Sequence, residues 1–228
     1  MPITKTFYFN DVYKDAKSDD KSFYKNLEFK QYDGIDEIEN GTKGFGTYGA
    51  TQFAPLLTKY AGQIKERTMV VIGTIFPWIE KFAYHLNASK ITTLDYTRAK
   101  WNDPRLEWEH VNDFLDRVIA EEQIEQFDNS ASFSSIEHSG LGRYGDPLSA
   151  NGDIDAVQET HCLLKPGGLF FIALPFSYAE KGVIEFNAHR IYGESRLRLL
   201  FKGWKEIERK DQAMSGHMGF VLQKDNYC

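Results

Sequence analysis

The sequence is poor in cysteine and has no long apolar run. It contains 2 cysteines in 228 residues, and Cys162 and Cys228 form no spacing typical of a metal or redox motif. Cys162 lies in an apolar stretch and is predicted to be a small buried hydrophobe. No run approaches the roughly 20 apolar residues that a membrane span needs. The N-terminus has no apolar signal core, so we expect a cytoplasmic protein, or a lumenal protein of the secretory pathway if a leader was removed.

Positive charge is also in deficit. The chain has 27 lysines and arginines against 33 aspartates and glutamates, a net charge of −6. A general nucleic-acid-binding protein presents a basic face, so we expect no nucleic-acid partner. The apolar content of 42% is ordinary for a globular protein, and no internal repeat is present. This composition leaves the oligomeric state open.

Strand-like and helix-like segments alternate from residue 68 onwards. Residues 68–73 (TMVVIG) form a β-branched run that is typical of a buried parallel strand. Apolar residues at helical spacing follow it, from Trp78 to Leu86. This order predicts an α/β fold with a doubly wound, mostly parallel seven-stranded sheet and an antiparallel C-terminal strand. The other expected strands are KITTLDYT, LEWEHVN, FDNSASFSSIEH (ending at about Ile136), LFFIALPF, GWKEIERKDQA and GFVLQKD; the other expected helices are DFLDRVIAEEQIEQ and GDIDAVQETHCLL.

The first 60 residues differ from the rest of the chain. The first 45 alternate charge clusters with single aromatic residues, residues 40–50 are rich in glycine, and a helix is expected to begin in residues 51–60. We expect residues 1–60 to form an N-terminal extension and glycine-rich loop packed on the core, and residues 61–228 to form the sheet domain. The glycine-rich loop precedes the first strand of the sheet, which is the wrong place for the pyrophosphate turn of a nicotinamide-dependent oxidoreductase. It is predicted to be a lid.

Several landmarks resemble the class I S-adenosylmethionine-dependent methyltransferases. One strand ends in Gly73, an acid (Asp95) ends the next, FD opens the fourth and LLKPGG enters the fifth. The blocks VIGTIFPWIE, ITTLDY, SSIEHSGLGRYGDPL, NGDIDAV, CLLKPGG and FNAHRIYG are similar, more narrowly, to an uncharacterised-domain family first catalogued in nematode proteins. The resemblance implies a Rossmann-like methyltransferase domain over residues 61–228, S-adenosyl-L-methionine (SAM) as cofactor, and methyl transfer as the activity.

One block departs from the methyltransferase pattern. The usual first motif has an acid followed by three glycines at alternating positions, but here Val71 stands at the acid position and only Gly73 remains. Ile75 and Phe76 are bulky and are expected to point away from a ligand. This departure favours an alternative, a non-catalytic methyltransferase-like protein that binds a nucleoside or a protein partner.

The candidate cofactor contacts lie at the carboxyl ends of the strands. Asp95 follows Gly73 by 22 residues, close to the offset at which a strand-terminal carboxylate accepts ribose hydroxyls. The resemblance places Asn112 or Asp113 near the adenine amino group, although both are also suited to cap a helix. Asp95 as a solvated acid and Tyr96 packed on a helix are the structural alternatives. The full predicted set is Gly73, Thr74, Asp95, Tyr96, Asn112, Asp113 and Ser135.

Two histidines are candidate general bases. A hydroxyl acceptor needs a base to remove its proton, and histidine titrates near neutral pH. His138 emerges at the carboxyl edge beside Glu137, which is predicted to support it, and His189 is the second candidate. The prediction is O-methylation of a small polar or glycan-type acceptor.

The same two loops supply the predicted substrate contacts. Arginine offers a planar fork for carboxylate or phosphate, and tyrosine a surface for stacking. The structural alternatives are an Arg143–Asp146 pair that ties the loop, and helix capping by Asn187 and Asp153. A divalent metal bound by His138, Asp146, Asp153 and His189 agrees with the residue types, but no ligand spacing supports it and none is expected. The predicted substrate contacts are Arg143, Tyr144, Asn187 and Arg190.

Overall fold

The computed structural model describes residues 3–4, 37, 39, 52–74, 77–96, 101–121, 124–144, 146–185, 188–211 and 216–225. Its strands are β1 (Ile3–Thr4), β2 (Thr68–Ile72), β3 (Lys90–Asp95), β4 (Leu106–His110), β5 (Phe127–Phe133), β6 (Leu164–Pro175), β7 (Val183–Glu185), β8 (His189–Ile191), β9 (Trp204–Asp211) and β10 (His217–Lys224). Its helices are α1 (Phe53–Lys59), α2 (Ala61–Ile64), α3 (Trp78–His85), α4 (Val111–Glu121), α5 (Gly152–Leu163) and α6 (Glu194–Leu200). The predicted lid and the predicted roles of Ile75, Phe76 and Asn187 lie outside the described residues.

Seven of the described strands form one sheet in the order β4-β3-β2-β5-β6-β10-β9. Strand β10 runs antiparallel to both of its neighbours, and the other neighbouring pairs are parallel. The chain winds from β2 to β4 on one side and returns to β5 on the other side of β2. The predicted doubly wound sheet is confirmed, and its switch point lies between β2 and β5, where such folds bind ligands.

Two apolar clusters cover the two faces of this sheet. In β2, Val71 belongs to the cluster with α1 and α3, and Val70 to the cluster with α4, α5 and α6. Successive side chains of a strand alternate between faces, so a strand covered on both faces needs a continuous apolar run. Phe53 and Leu57 are buried in the first cluster, so α1 contributes to the core; the division of the chain at residue 60 stays a prediction.

Three local predictions were wrong. Strand β5 ends at Phe133 and not near Ile136, because Ser134 has a left-handed φ of +52° that breaks the extended backbone before the 3-10 turn Ile136–His138. Helix α4 already begins at Val111. Cys162 is half-buried and disulfide-bonded, not a buried thiol.

A second, small sheet was not predicted. Strands β7 and β8 form an antiparallel hairpin, and β1 pairs with β7 in parallel through Ile3 and Ile184. Strands of two or three residues are too short to show an alternating pattern in the sequence. The hairpin bears on the candidate site because β8 carries His189 towards the 3-10 turn that follows β5.

Candidate functional site

The turn after β2 brings the ends of three strands together. Gly73 has a φ of +69°, and its N–H donates to the Leu94 carbonyl at 2.9 Å. A Cβ atom at this position would lie 1.8 Å from Oγ of Ser135. Only glycine fits, because the backbone is left-handed and Ser135 approaches it closely. The structure therefore places Gly73 and Ser135 in contact at the switch point.

Asp95 is fixed at the same edge. Its Oδ2 atom accepts the N–H of Thr74 at 2.6 Å, a short charge-assisted hydrogen bond. The side chain is half-buried at the end of β3. Gly73, Thr74, Asp95 and Ser135 thus lie together, as predicted, and we call them the Asp95 edge.

A fully buried glutamate beneath this edge was missed by the sequence analysis. Glu80 of α3 is 0% exposed, and its Oε1 atom accepts the hydroxyl of Thr93 at 2.9 Å. Burial raises the pKa of Glu80 to about 7. The sequence contains one signal for this burial. Ile79 and Ala83 face the core, and Glu80, which follows Ile79, therefore borders the apolar face of the helix.

The other predicted cofactor contacts lie farther along the edge. The Tyr96 ring stands edge-on to His110 with centroids 5.5 Å apart. Burial raises the pKa of Tyr96 to about 12, so its hydroxyl stays protonated. Asn112 and Asp113 are exposed within the first turn of α4 and do not precede it, so they are not at the predicted N-cap position; the N–H of Asn112 donates to Nδ1 of His110 at 3.3 Å.

Glu137 is the second fully buried glutamate at the carboxyl edge. It is 0% exposed, and its Oε1 atom accepts the Ser134 hydroxyl at 2.6 Å. Burial raises the pKa of Glu137 to about 7, and the nearby Arg143 and Arg190 partly oppose this shift. The side chain therefore supports the turn from below and has no exposed surface for a substrate.

His138 is held in one tautomer. Its Nδ1 atom lies 2.6 Å from the Ala188 carbonyl oxygen, which can only accept, so the ring proton is on Nδ1. The Nε2 atom lies 3.7 Å from Oε1 of Glu137. Burial lowers the pKa of His138 to about 3, with the positive charges of Arg143 and Arg190 contributing. The ring is neutral at physiological pH and a weak proton acceptor.

His189 lies beside His138 in a different electrostatic setting. The two rings stand edge-on with centroids 5.8 Å apart. The Nε2 atom of His189 lies 3.5 Å from Oε2 of Glu185, and its side chain is 21% exposed against 13% for His138. Burial lowers the pKa of His189, but the Glu185 carboxylate opposes the shift.

The loop after the 3-10 turn adds an arginine and a tyrosine to the two histidines. Nη1 of Arg143 donates to the Ala188 carbonyl at 3.2 Å, and its guanidinium carbon lies 5.3 Å from the Tyr144 ring centroid. The Tyr144 ring stands edge-on to His138 at 5.2 Å. We call His138, Arg143, Tyr144 and His189 the histidine cluster; the structure brings all four together, as the topology predicts.

Asp146 ties down this loop. Its carboxylate accepts the backbone N–H groups of Gly140 at 2.7 Å, Gly142 at 3.0 Å and Tyr144 at 3.2 Å. These three bonds tie the loop through its backbone, and the predicted Arg143–Asp146 pair is not among them. They hold Arg143 and Tyr144 in place beside the histidines.

Arg190 differs from Arg143 although both were predicted to contact substrate. Arg190 is 1% exposed. Its guanidinium lies 3.6 Å from Asp153 and also binds the backbone carbonyls of Glu137, Ser139, Ser149 and Ala150. Its two Nη atoms thus donate inside the fold, and a side chain that is 1% exposed has almost no surface for a substrate.

Asp153 completes that buried network and does not act as a helix cap. It accepts the Tyr192 hydroxyl at 3.1 Å and binds the Arg196 guanidinium at 2.5 Å. Among the described residues, no three histidine, cysteine or acidic side chains are grouped as metal ligands. Within that same part of the chain, no helix has the length and apolarity to cross a membrane.

The family comparison matches most of the chain. A family described as "Caenorhabditis protein of unknown function, DUF268" matches residues 66–223, which run from the start of β2 to near the end of β10. The match includes the Asp95 edge and the histidine cluster. No curated protein matches the chain significantly in sequence.

Solved structures are similar in fold at low sequence identity. The chain is similar to 1,6-didemethyltoxoflavin-N1-methyltransferase from Burkholderia thailandensis, whose structure contains S-adenosylhomocysteine (TM-score 0.61, 13% identity, 84% of this chain and 85% of that chain). It is similar to an S-adenosylmethionine-dependent methyltransferase from Mesorhizobium loti (TM-score 0.53, 14% identity, 75% of this chain and 96% of that chain). It is also similar to the [4+2]-cyclase SpnF (TM-score 0.50, 12% identity, 80% of this chain and 84% of that chain). The fold is shared by methyltransferases and by a cyclase, so the activity has to be argued from the site.

Proposed function

The chain belongs to the DUF268 family, and we propose that it is a SAM-dependent methyltransferase that acts on oxygen. The observation that carries the proposal is the Asp95 edge: the Asp95 carboxylate is fixed to the N–H of Thr74 at 2.6 Å, directly beside Gly73 at the switch point. In doubly wound sheets this is where nucleotide-like ligands bind.

The residues at this edge fit the chemistry of SAM. The cofactor carries a sulfonium and an ammonium group, and the half-buried carboxylate of Asp95 brings a negative charge to the strand end beside the switch point. A half-buried carboxylate at Asp95 suits ribose hydroxyls, which are donors. The one glycine that remains, Gly73, is the position where a Cβ atom would meet Ser135.

The histidine cluster suits an acceptor with an anionic group. Arg143 is a cation that lies near both histidines, with its guanidinium carbon 5.3 Å from the centroid of the Tyr144 ring. A guanidinium binds carboxylate or phosphate with two parallel hydrogen bonds, and a tyrosine face covers a sugar or planar ring. We therefore propose a small hydroxylated acceptor, of the sugar or glycan type, that carries a carboxylate or phosphate.

His189 is the better candidate for the general base. His138, with a pKa of about 3, has little driving force to accept a proton at neutral pH. His189 is more exposed and has Glu185 at 3.5 Å to stabilise an imidazolium. We therefore rank His189 before His138 as the general base, whereas their positions in the sequence favour His138. The His138 ring, which is hydrogen-bonded to the Ala188 carbonyl, packs edge-on against the His189 ring.

The proposed reaction follows from these roles. When bound, SAM supplies a methyl group that is open to in-line attack opposite its sulfur. Arg143 holds the acceptor anion and Tyr144 covers its ring, so that the acceptor hydroxyl lies near His189. His189 takes the hydroxyl proton as the oxygen–carbon bond forms and the carbon–sulfur bond breaks. Glu185 stabilises the charged His189 until the proton passes to solvent.

Calorimetric titration with SAM and with S-adenosylhomocysteine tests the proposal first. We expect binding of both ligands at micromolar concentrations, about 8 kcal/mol of binding free energy. Transfer of a labelled methyl group from SAM to a panel of hydroxylated sugar acids and sugar phosphates then tests the acceptor. Absence of binding near about 1 mM would reject the methyltransferase and favour the non-catalytic alternative.

A further inference from the structure

The acid missing from position 71 would have a defined place in this fold. Val71 of β2 lies opposite Thr93 of β3 in the parallel ladder. Val71 also belongs to the apolar cluster that contains Trp78 and Phe82 of α3. Residues opposite each other on neighbouring strands point to the same face of the sheet. A carboxylate at position 71 would therefore point towards α3, next to Thr93.

Glu80 brings a carboxylate to the same place from helix α3, which packs on this face of the sheet. Its Oε1 atom accepts the Thr93 hydroxyl at 2.9 Å. The Thr74 side chain lies close enough to the Glu80 carboxyl to favour its ionised form. Because the backbone N–H of Thr74 donates to Asp95 at 2.6 Å, Thr74 lies between Glu80 and Asp95.

A carboxyl group in this position is unfavourable for packing alone. Glu80 is fully buried, and its Oε2 atom has no hydrogen-bond partner among the described residues. Asp95 adds a second negative charge nearby, which opposes ionisation of Glu80. A buried polar group with an unsatisfied atom destabilises a fold relative to an apolar side chain of similar size. The hydrogen bond that offsets this cost comes from Thr93, two residues before Asp95 on β3.

We propose that Glu80 is a positioning residue of the cofactor site, which takes over from the absent acid at position 71 and fixes the Thr74 turn against Asp95. The inference rests on the proposed function, since the turn is the one assigned to SAM. Glu80 acts through Thr74 and Asp95 and does not itself contact the cofactor.

Three single variants test the claim with S-adenosylhomocysteine as the calorimetric probe. Glu80→Gln keeps the volume, and we expect about tenfold weaker binding, because a hydrogen bond to a charged group is weakened. Thr93→Val removes the hydroxyl that donates to Glu80 and should weaken binding several-fold. Thr92→Val is the matched control: Thr92 is equally deep in β3 but points to the opposite face, paired with Val70.

Relocating the carboxylate separates positioning from mere packing. Glu80→Val should weaken binding more than Glu80→Gln does, and adding Val71→Glu to it should restore part of the affinity. The double variant exchanges the two residue types, so the volume of the buried pair is unchanged. If the double variant does not fold, Glu80→Gln and Thr93→Val still decide the claim.

Amide hydrogen exchange of Thr74 gives a readout that needs no cofactor. We expect Glu80→Gln and Thr93→Val to speed exchange of the Thr74 N–H, and Thr92→Val to leave it unchanged. Unaltered affinity together with unaltered exchange in Glu80→Gln would overturn the inference. If the wild-type chain binds no S-adenosylhomocysteine, the proposed function fails, and the exchange rates alone decide whether Glu80 positions the turn.

Discussion

Two buried glutamates lie at the same edge of the sheet in opposite electrostatic settings. Glu80 has two threonine hydroxyls and the Asp95 carboxylate nearby, whereas Glu137 has a serine hydroxyl and two arginines. Burial raises the pKa of each to about 7. The Asp95 edge is thus acidic and suits a cationic ligand, while the histidine cluster contains the cation Arg143 and suits an anionic one. Under the proposed function, one sheet edge would therefore offer two complementary subsites.

The largest predicted difference in stability is between variants of two arginines, Arg143 of the histidine cluster and the nearby Arg190. Arg190→Met should cost about 4 kcal/mol of unfolding free energy, because it leaves several buried carbonyls unpaired and removes a partner of Asp153. Arg143→Met should cost less than about 1 kcal/mol, yet weaken binding of an anionic acceptor. Urea denaturation checks both values. Equal losses of stability would contradict the assignment of Arg190 to the fold and Arg143 to the substrate.

The two histidines should separate turnover from cofactor binding. His189→Ala should lower the rate of methyl transfer about a hundredfold, since it removes the proposed base, and leave the affinity for S-adenosylhomocysteine unchanged. Asn at position 138 would keep a polar side chain that can donate to Ala188, so His138→Asn should lower the rate much less. Single-turnover kinetics with labelled SAM measures both. A larger rate loss in His138→Asn than in His189→Ala would make His138 the base.

The pH dependence of stability tests the buried carboxyl of Glu137. The carboxyl ionises at its ordinary pKa of 4.5 in the unfolded chain and at about 7 in the fold. The folded state therefore binds the proton more tightly, and wild-type stability falls as the pH rises from about 4.5 to about 7. Glu137→Gln does not titrate, so its stability relative to wild type should grow by about 3 kcal/mol over that range. Thermal unfolding from pH 4 to 8 gives the difference; a constant difference would show that Glu137 is not protonated in the fold.

The sequence predicted the Asp95 edge well because chain position determines it. Gly73 and Asp95 each follow a β-branched run, and parallel strands end at one edge, so their proximity follows from the strand order. The histidine cluster was predicted for the same reason, since both loops follow strands of that sheet.

Burial and direction of side chains were harder to predict. Arg143 and Arg190 are the same residue type in similar polar loops, and only the fold shows that Arg190 lies under Ser139 and Ala150. Glu80 resembles a solvent-facing charge beside Lys81 in an amphipathic helix, and only its position next to the core-facing Ile79 signals its burial. The left-handed Ser134, which ends β5 early, leaves no compositional signal, because glycine is the residue expected at a positive φ.

The most direct test of the account is the affinity for S-adenosylhomocysteine of Asp95→Ala, with the exposed acid Asp116→Ala on α4 as control. Both variants lose one negative charge, so a general electrostatic effect would appear in both. We predict that Asp95→Ala weakens binding about a hundredfold, as for loss of two hydrogen bonds to a charged group, and that Asp116→Ala binds as the wild type does. Equal affinities of Asp95→Ala and wild type would contradict the placement of the cofactor at this edge.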